Sequence, residues 1–160
     1  MKTRLIFLLI AMLTAFAGPA RADEGKLYTS DKMSSSAISC VVQDAYGFIW
    51  IGTEYGLNRF DGYQFVKYFR DARDSTSLQS NEITAFFVDS REQLWIGCRK
   101  GLMRYNYATD SFCSFPFPDA DMHRVVSLTE DAAGDLVVGT SGYGLYVLPR
   151  DGRSIVRADK

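Results

Sequence analysis

Few residues in this 160-residue chain have types and spacings that suit chemistry, and those that do point to binding rather than to bond-making. His123 is the sole histidine, and no second histidine or carboxylate is spaced to assist it as a general base or metal ligand. It reads as a solvated loop residue. Cys40, Cys98 and Cys113 show no C-x-x-C spacing, so neither a zinc nor a redox site has support. Each falls in or at the end of an apolar run, where a free cysteine acts as a small hydrophobe, although an exported chain leaves a disulfide open. No Ser–His–Asp order, phosphate loop or paired carboxylates stand out, so no catalytic residue, cofactor or metal is expected. What remains is a polar and aromatic set at related positions: Glu54, Tyr55, Arg99, Lys100, Ser141 and Tyr143, with Ser36, Asn81, Glu82, His123 and Arg124. Tyrosine rings beside charged donors suit a carbohydrate. A plain polar rim without a ligand is the competing reading.

These residues are related because the chain repeats itself. Segments starting at Ile38, Ile83 and Val125 share one text. Asp44, Asp89 and Asp131 lie 45 and 42 residues apart; Gly52, Gly97 and Gly139 keep the same spacings; Gly56, Gly101 and Gly144 follow at 45 and 43. Each copy holds four short runs rich in Val, Ile, Phe, Tyr and Trp between turn residues, in the first copy Ile38–Val42, Phe48–Gly52, Leu57–Phe60 and Gln64–Tyr68. The runs are apolar on both faces, whereas a sheet with one wet face alternates. A four-stranded antiparallel sheet covered on both sides and repeated every 42–45 residues is a propeller blade. The predicted fold is therefore all-β: three consecutive four-stranded blades at 38–70, 83–117 and 125–160, joined by connections at 71–82 and 118–124, forming an incomplete propeller.

The repeated residues then acquire scaffold roles. Asp44 with Gly47, and Asp131 with Gly134, make the turn between the first two strands, the carboxylate bonding local backbone and the glycine taking positive φ. Glu92 stands at the glycine position of the second copy, so there the turn changes or a residue is strained. Trp50 and Trp95 fill the wedges between blades; Val137 replaces them in the third copy. Gly52, Gly97 and Gly139 admit close backbone approach, and Gly56, Gly101 and Gly144 close the hairpin into the third strand. In such a blade that hairpin shares a rim with the loop entering the next blade, and this brings the polar set above to one edge.

The N-terminus differs. Lys2 and Arg4 precede an apolar run from Leu5 to Ala17, and "ARA" ends at Ala22. This reads as a secretory signal peptide over 1–22, too short to span a bilayer, with no cysteine nearby for a lipid anchor. Residues 23–37 are a lead-in or a closing strand. The mature part would carry 15 basic and 19 acidic residues, which gives nucleic acid no support as a partner and disfavours anionic ligands weakly.

The pattern D-x-x-G-x-(I/L)-W-I-G-T-x-x-G-L-x-(R/Y)-(F/Y)-(D/N), seen in "GFIWIGTEYGLNRFDGYQF" and again in "LWIGCRKGLMRYN", resembles the two-component regulator propeller repeat. The resemblance runs from Ile38 to about Ile155 and is weaker in the third copy. It implies the exported sensor region of a bacterial hybrid two-component system, with further blades, a membrane helix, a histidine kinase and a receiver beyond this chain. It also implies a periplasmic location, an inner-membrane anchor, a homodimer in the full-length form, and a response to glycan fragments. Closed propellers need 4–8 blades, so three imply a piece of a larger ring whose remaining blades are its partners. A stand-alone periplasmic binding or assembly propeller and a propeller lyase stay open as alternatives.

Overall fold

The computed structural model describes residues 32–119, 123–152 and 154–158. The signal peptide expected over 1–22 and most of the 23–37 lead-in lie outside these residues. Twelve strands form three separate antiparallel sheets, each a four-stranded meander in chain order. The first holds β1 (Ile38–Gln43), β2 (Ile49–Thr53), β3 (Gly56–Phe60) and β4 (Phe65–Tyr68). The second holds β5 (Ile83–Val88), β6 (Leu94–Cys98), β7 (Gly101–Asn106) and β8 (Ser111–Phe115). The third holds β9 (Val125–Glu130), β10 (Leu136–Thr140), β11 (Gly144–Leu148) and β12 (Val156–Arg157). The all-β, three-blade expectation is correct.

Burial shows how the blades stack. Every residue of β6 is buried. None of the exposed large hydrophobic residues lies in the middle blade, whereas Ile38 and Val41 of the first and Val126, Leu145 and Val156 of the third are roughly half exposed. The middle blade is therefore covered by neighbours on both faces, and the end blades on one. One core cluster joins Trp50 and Leu57 to Ile83, Ile96, Tyr105 and Phe112 between the first and second blades. A second joins Trp95 and Leu102 to Val125, Leu136, Val138 and Tyr146 between the second and third.

Two local devices set the distance between blades: a bulge that the residue text does not show, and the close approach expected at the glycines. The first strand of each blade carries a register shift, at Ser39, Thr84 and Val126. A bulge adds one residue to a strand and re-aims its side chain. Here it turns the Ser39 hydroxyl onto the Ile83 carbonyl at 2.6 Å and the Thr84 hydroxyl onto the Val125 carbonyl, so each first strand is pinned to the next. Opposite the bulges stand Gly52 and Gly97. A Cβ at Gly52 would sit 2.7 Å from Ile83 Cγ2, and one at Gly97 would sit 2.6 Å from Val125 Cγ1. The next blade occupies the space that a side chain would need. In the second turn, Glu92 adopts φ 63°, so it accepts the left-handed conformation and leaves the turn unchanged.

The wedges are aromatic. Trp50 is fully buried against Tyr105, with ring centroids 4.6 Å apart, and against Tyr68 at 5.8 Å. The Arg59 guanidinium lies over Phe48 and Trp50, and Arg104 lies over Trp95 and Phe115. Trp50→Ala removes the centre of the first wedge and is expected to cost about 3–5 kcal/mol through cavity formation. Gly97→Ala forces the blades apart and is expected to cost about 1–3 kcal/mol through overpacking. Denaturant unfolding measures both; unchanged midpoints would place Trp50 and Gly97 outside the packed interface.

Candidate functional site

The rim is built by one backbone bond repeated three times. The amide after each second strand donates to the carbonyl before the first strand of its own blade: Glu54 to Ala37 at 3.2 Å, Arg99 to Glu82 at 3.0 Å and Ser141 to Arg124 at 2.9 Å. A fourth bond, Gly56 to the Asn81 carbonyl at 2.7 Å, ties the first hairpin to the entry of the second blade. Each hairpin is closed by the residue ending its second strand. The Thr53 hydroxyl donates to the Gly56 carbonyl at 2.8 Å, and Thr140 to the Gly144 carbonyl at 2.7 Å. In the second blade Cys98 Sγ accepts the Lys100 amide at 3.4 Å. These three positions match the T of the repeated I-G-T text.

This frame places the sequence-predicted residues as follows. Glu54, Tyr55, Arg99, Lys100, Ser141 and Tyr143 are all exposed on the three hairpin tips, and Ser36 is exposed beside the first. Arg99 is joined to Glu82 at 3.2 Å, and Arg124 of the next blade reaches the same carboxylate at 2.6 Å. Glu82 therefore holds two arginines from neighbouring blades as a clamp. Tyr55 stands 67% exposed, and no ring stacks on it among the described residues. No contact joins Tyr55 to Tyr143 among the described residues; they stand two blades apart along the rim.

His123 departs from expectation. It is not a solvated loop residue: its side chain is fully buried, under Tyr143 at 4.2 Å between centroids and against Phe117 at 4.7 Å. Nor does it lack a carboxylate. Asp119 Oδ1 is 2.7 Å from its Nε2, while Tyr146 donates its hydroxyl proton to Asp119 Oδ2 at 2.9 Å. The D-x-x-x-H spacing was there to be read, but a loop offers no fixed period to show that the two side chains meet. His123 thus supports the Tyr143 ring from below and has no solvent access of its own. Its Nδ1 is buried without a partner among the described residues.

The opposite edge of each sheet holds the repeated aspartates, and all three use Oδ1 in the same way. Asp44 Oδ1 accepts the amides of Tyr46 and Phe48, Asp89 those of Arg91 and Gln93, and Asp131 those of Ala133 and Asp135. In the first two copies Oδ2 also accepts the indole N–H, from Trp50 at 2.7 Å and Trp95 at 2.9 Å. Tyr107 of the second blade adds a hydroxyl to Asp44 Oδ2 at 2.8 Å. Burial and this bond push the Tyr107 phenol up. A second interblade knot joins Arg59, Tyr68 and Tyr105 to Asp110; burial and Asp110 push the Tyr105 phenol up to about 12. The three cysteines are free, and burial pushes the Cys98 thiol up to about 11, which keeps it protonated. Among the described residues no group of three His, Cys, Asp or Glu side chains could hold a metal ion.

Asp119 carries a pH prediction. Desolvation opposes its ionisation, but the bonds from Tyr146 and His123 together outweigh it and hold the carboxyl below its ordinary value. A carboxyl depressed by folding contributes stability that is complete above the unfolded value of about 3.9 and lost as pH falls through the folded one. The thermal midpoint is expected to fall on acidification below about pH 4, and Asp119→Asn to reduce that fall. Identical acid profiles for the two proteins would show that Asp119 does not hold the loop.

The pattern of the Two component regulator propeller family matches residues 32–55 and 77–100. A curated relative, Histidine kinase P4 of Formosa agariphila, is 44% identical over 48 residues, which is 30% of this chain and 4% of the kinase. Among solved structures, the extracellular domain described as that of a hybrid two component system from B. thetaiotaomicron superposes with TM-score 0.74 at 27% identity, over 84% of this chain and 20% of that one. A second extracellular domain from the same organism, described as that of a one component system, gives TM-score 0.64 at 28% identity, over 71% of this chain and 16% of that one. This chain spans a fifth or less of each of these three proteins.

Proposed function

From a chain that carries two component regulator propeller repeats, we propose a part of the extracytoplasmic, ligand-sensing propeller of a two-component receptor, responding to an oligosaccharide on the rim that carries Tyr55, Arg99, Lys100 and Tyr143. The observation that carries the reading is the rim itself. Three equivalent hairpins are fixed by the same backbone bond, so their exposed tips form a rigid platform with spaced aromatic and donor groups. A preformed platform binds without a large ordering cost. The likeness to extracellular domains of signalling systems supports an exported, periplasmic position for the propeller. The remaining blades, the membrane helix, the kinase and the homodimer belong to the rest of the receptor in this reading.

Signalling requires that the ligand prefer one of two arrangements of the propeller and its membrane-proximal partner. The chain's own residues supply recognition. Tyr55 and Tyr143 offer ring faces, and Glu82 keeps Arg99 extended over the rim while holding Arg124 of the next blade. Ligand that draws on Arg99 also draws on a contact between blades, which couples binding to blade packing.

The test is a calorimetric titration of neutral oligosaccharides into the complete extracytoplasmic region that contains this chain, as wild type and as Tyr55→Ala/Arg99→Ala. The double variant is expected to bind at least about tenfold more weakly, as loss of a ring face and a charged donor implies. A glycan bound equally by both proteins would show that the rim is not the recognition surface.

A further inference from the structure

Between the connection that leads from β4 to β5 and the β6–β7 hairpin lies a cleft of about 470 Å3. Arg70, Asp71, Asp74, Leu78, Gln79 and Lys100 line it. The connection is not a loose loop. Ser77 Oγ accepts the Asp71 amide at 2.9 Å, Asn81 Oδ1 accepts the Arg70 amide at 2.7 Å, and the Thr76 carbonyl accepts the Phe112 amide of β8 at 2.8 Å. Leu78, 1% exposed, anchors it in the core between the first two blades. The walls of the cleft are therefore fixed before anything binds.

Its polar groups divide into used and unused. Asp71 Oδ1 accepts the Arg73 amide at 2.9 Å and pairs with the Arg73 guanidinium at 3.6 Å. Asp74 Oδ1 accepts the amide and the hydroxyl of Thr76 at 2.9 and 2.7 Å. Each carboxylate keeps its second oxygen as an acceptor. No ion pair or hydrogen bond engages the Arg70 or Lys100 side chain among the described residues. The amide oxygen of Gln79 is buried without a partner, pressed so close to Gly101 that a Cβ there would lie 2.9 Å from it. A buried acceptor left unmatched is unfavourable, and a donor brought by a ligand relieves it.

We propose that this cleft binds a small hydroxylated anion of the sugar-acid kind: its carboxylate or sulfate between Arg70 and Lys100, its hydroxyls donating to Gln79 Oε1 and to the spare carboxylate oxygens. Two unpaired cations call for a negative group, and the acceptors lining the same cleft call for hydroxyl donors; a bare anion meets only the first need and a neutral sugar only the second. The biological sense of this site rests on the sensing reading, to which it adds a charge requirement. The weakly acidic surface expected to disfavour anions is offset at the cleft, where Arg70 and Lys100 balance Asp71 and Asp74 and Arg73 pairs with Asp71.

The experiment is calorimetric titration of sodium glucuronate, glucose and sodium sulfate into the full chain, as wild type, Arg70→Ala, Lys100→Ala and Gln79→Leu. Glucuronate is expected to bind at least about tenfold more tightly than glucose or sulfate, and Arg70→Ala and Lys100→Ala each to weaken it about tenfold. Gln79→Leu should weaken glucuronate while leaving sulfate unchanged. Should a variant lose its fold, the wild type still decides, because glucuronate affinity must drop as ionic strength rises. Equal affinity for glucose and glucuronate, or affinity indifferent to Arg70, overturns the proposal, as does absence of glucuronate binding. Neutral glycans bound at the rim with Arg70 irrelevant would remove the cleft and leave the sensing reading standing. Glucuronate bound through Arg70 with no rim response would do the reverse.

Discussion

A buried carboxylate in each of the first two blades organises two length scales at once. Asp89 is 7% exposed, and its oxygens are divided: one collects the amides of its own turn, the other the indole of Trp95. The turn is thereby tied to the side chain that fills the wedge against the next blade. Asp44 and Trp50 do the same one blade earlier. A hydrogen bond to a charged group contributes about 1.5–3 kcal/mol, and an ionised carboxylate with too few donors is costly to bury. Turn and wedge therefore stand or fall together. The bulged Ser39 and Thr84 and the bare Gly52 and Gly97 complete the arrangement at the first strands, letting blade meet blade at backbone distance.

This constraint explains what the rim can do. With the blades locked at the turn edge and along their first strands, the opposite edge carries little packing duty. Its residues are consequently free to be Tyr, Arg, Lys and Glu. The hairpin tips stay rigid because Thr53, Cys98 and Thr140 close them from behind. On the hairpins, the repeated closing residues form the frame, and the tip residues that differ between copies are offered to solvent.

Periodicity made the twelve strands readable, because a buried sheet demands apolar runs of limited length and the chain writes that demand three times. The turn aspartates and the wedge tryptophans were readable for the same reason. Their mutual bond was not: Asp and Trp sit six residues apart on different elements, and only the folded turn brings Oδ2 to the indole. The bulges were hidden too, since an extra residue in a strand leaves no mark when both faces are apolar. His123 was misread because a lone histidine in a loop carries no periodicity to report burial under Tyr143 and Phe117. Arg70 and Gln79 went unnoticed because the 71–82 connection has no counterpart of equal length in the other copies, so no comparison between copies singled them out.

The central claim is that turn and wedge are one unit through the carboxylate–indole bond, and a double-mutant cycle on Asp89 and Trp95 measures it directly. Asp89→Ala, Trp95→Phe and the double variant are unfolded in denaturant alongside wild type. The account predicts a coupling of about 1.5–3 kcal/mol, because removal of either partner strands the other. The corresponding cycle on Asp131 and Val137, where no indole is present, should show coupling near zero. Additive effects at Asp89 and Trp95, equal in form to those at Asp131 and Val137, would contradict it and reduce the shared aspartate to a turn residue alone.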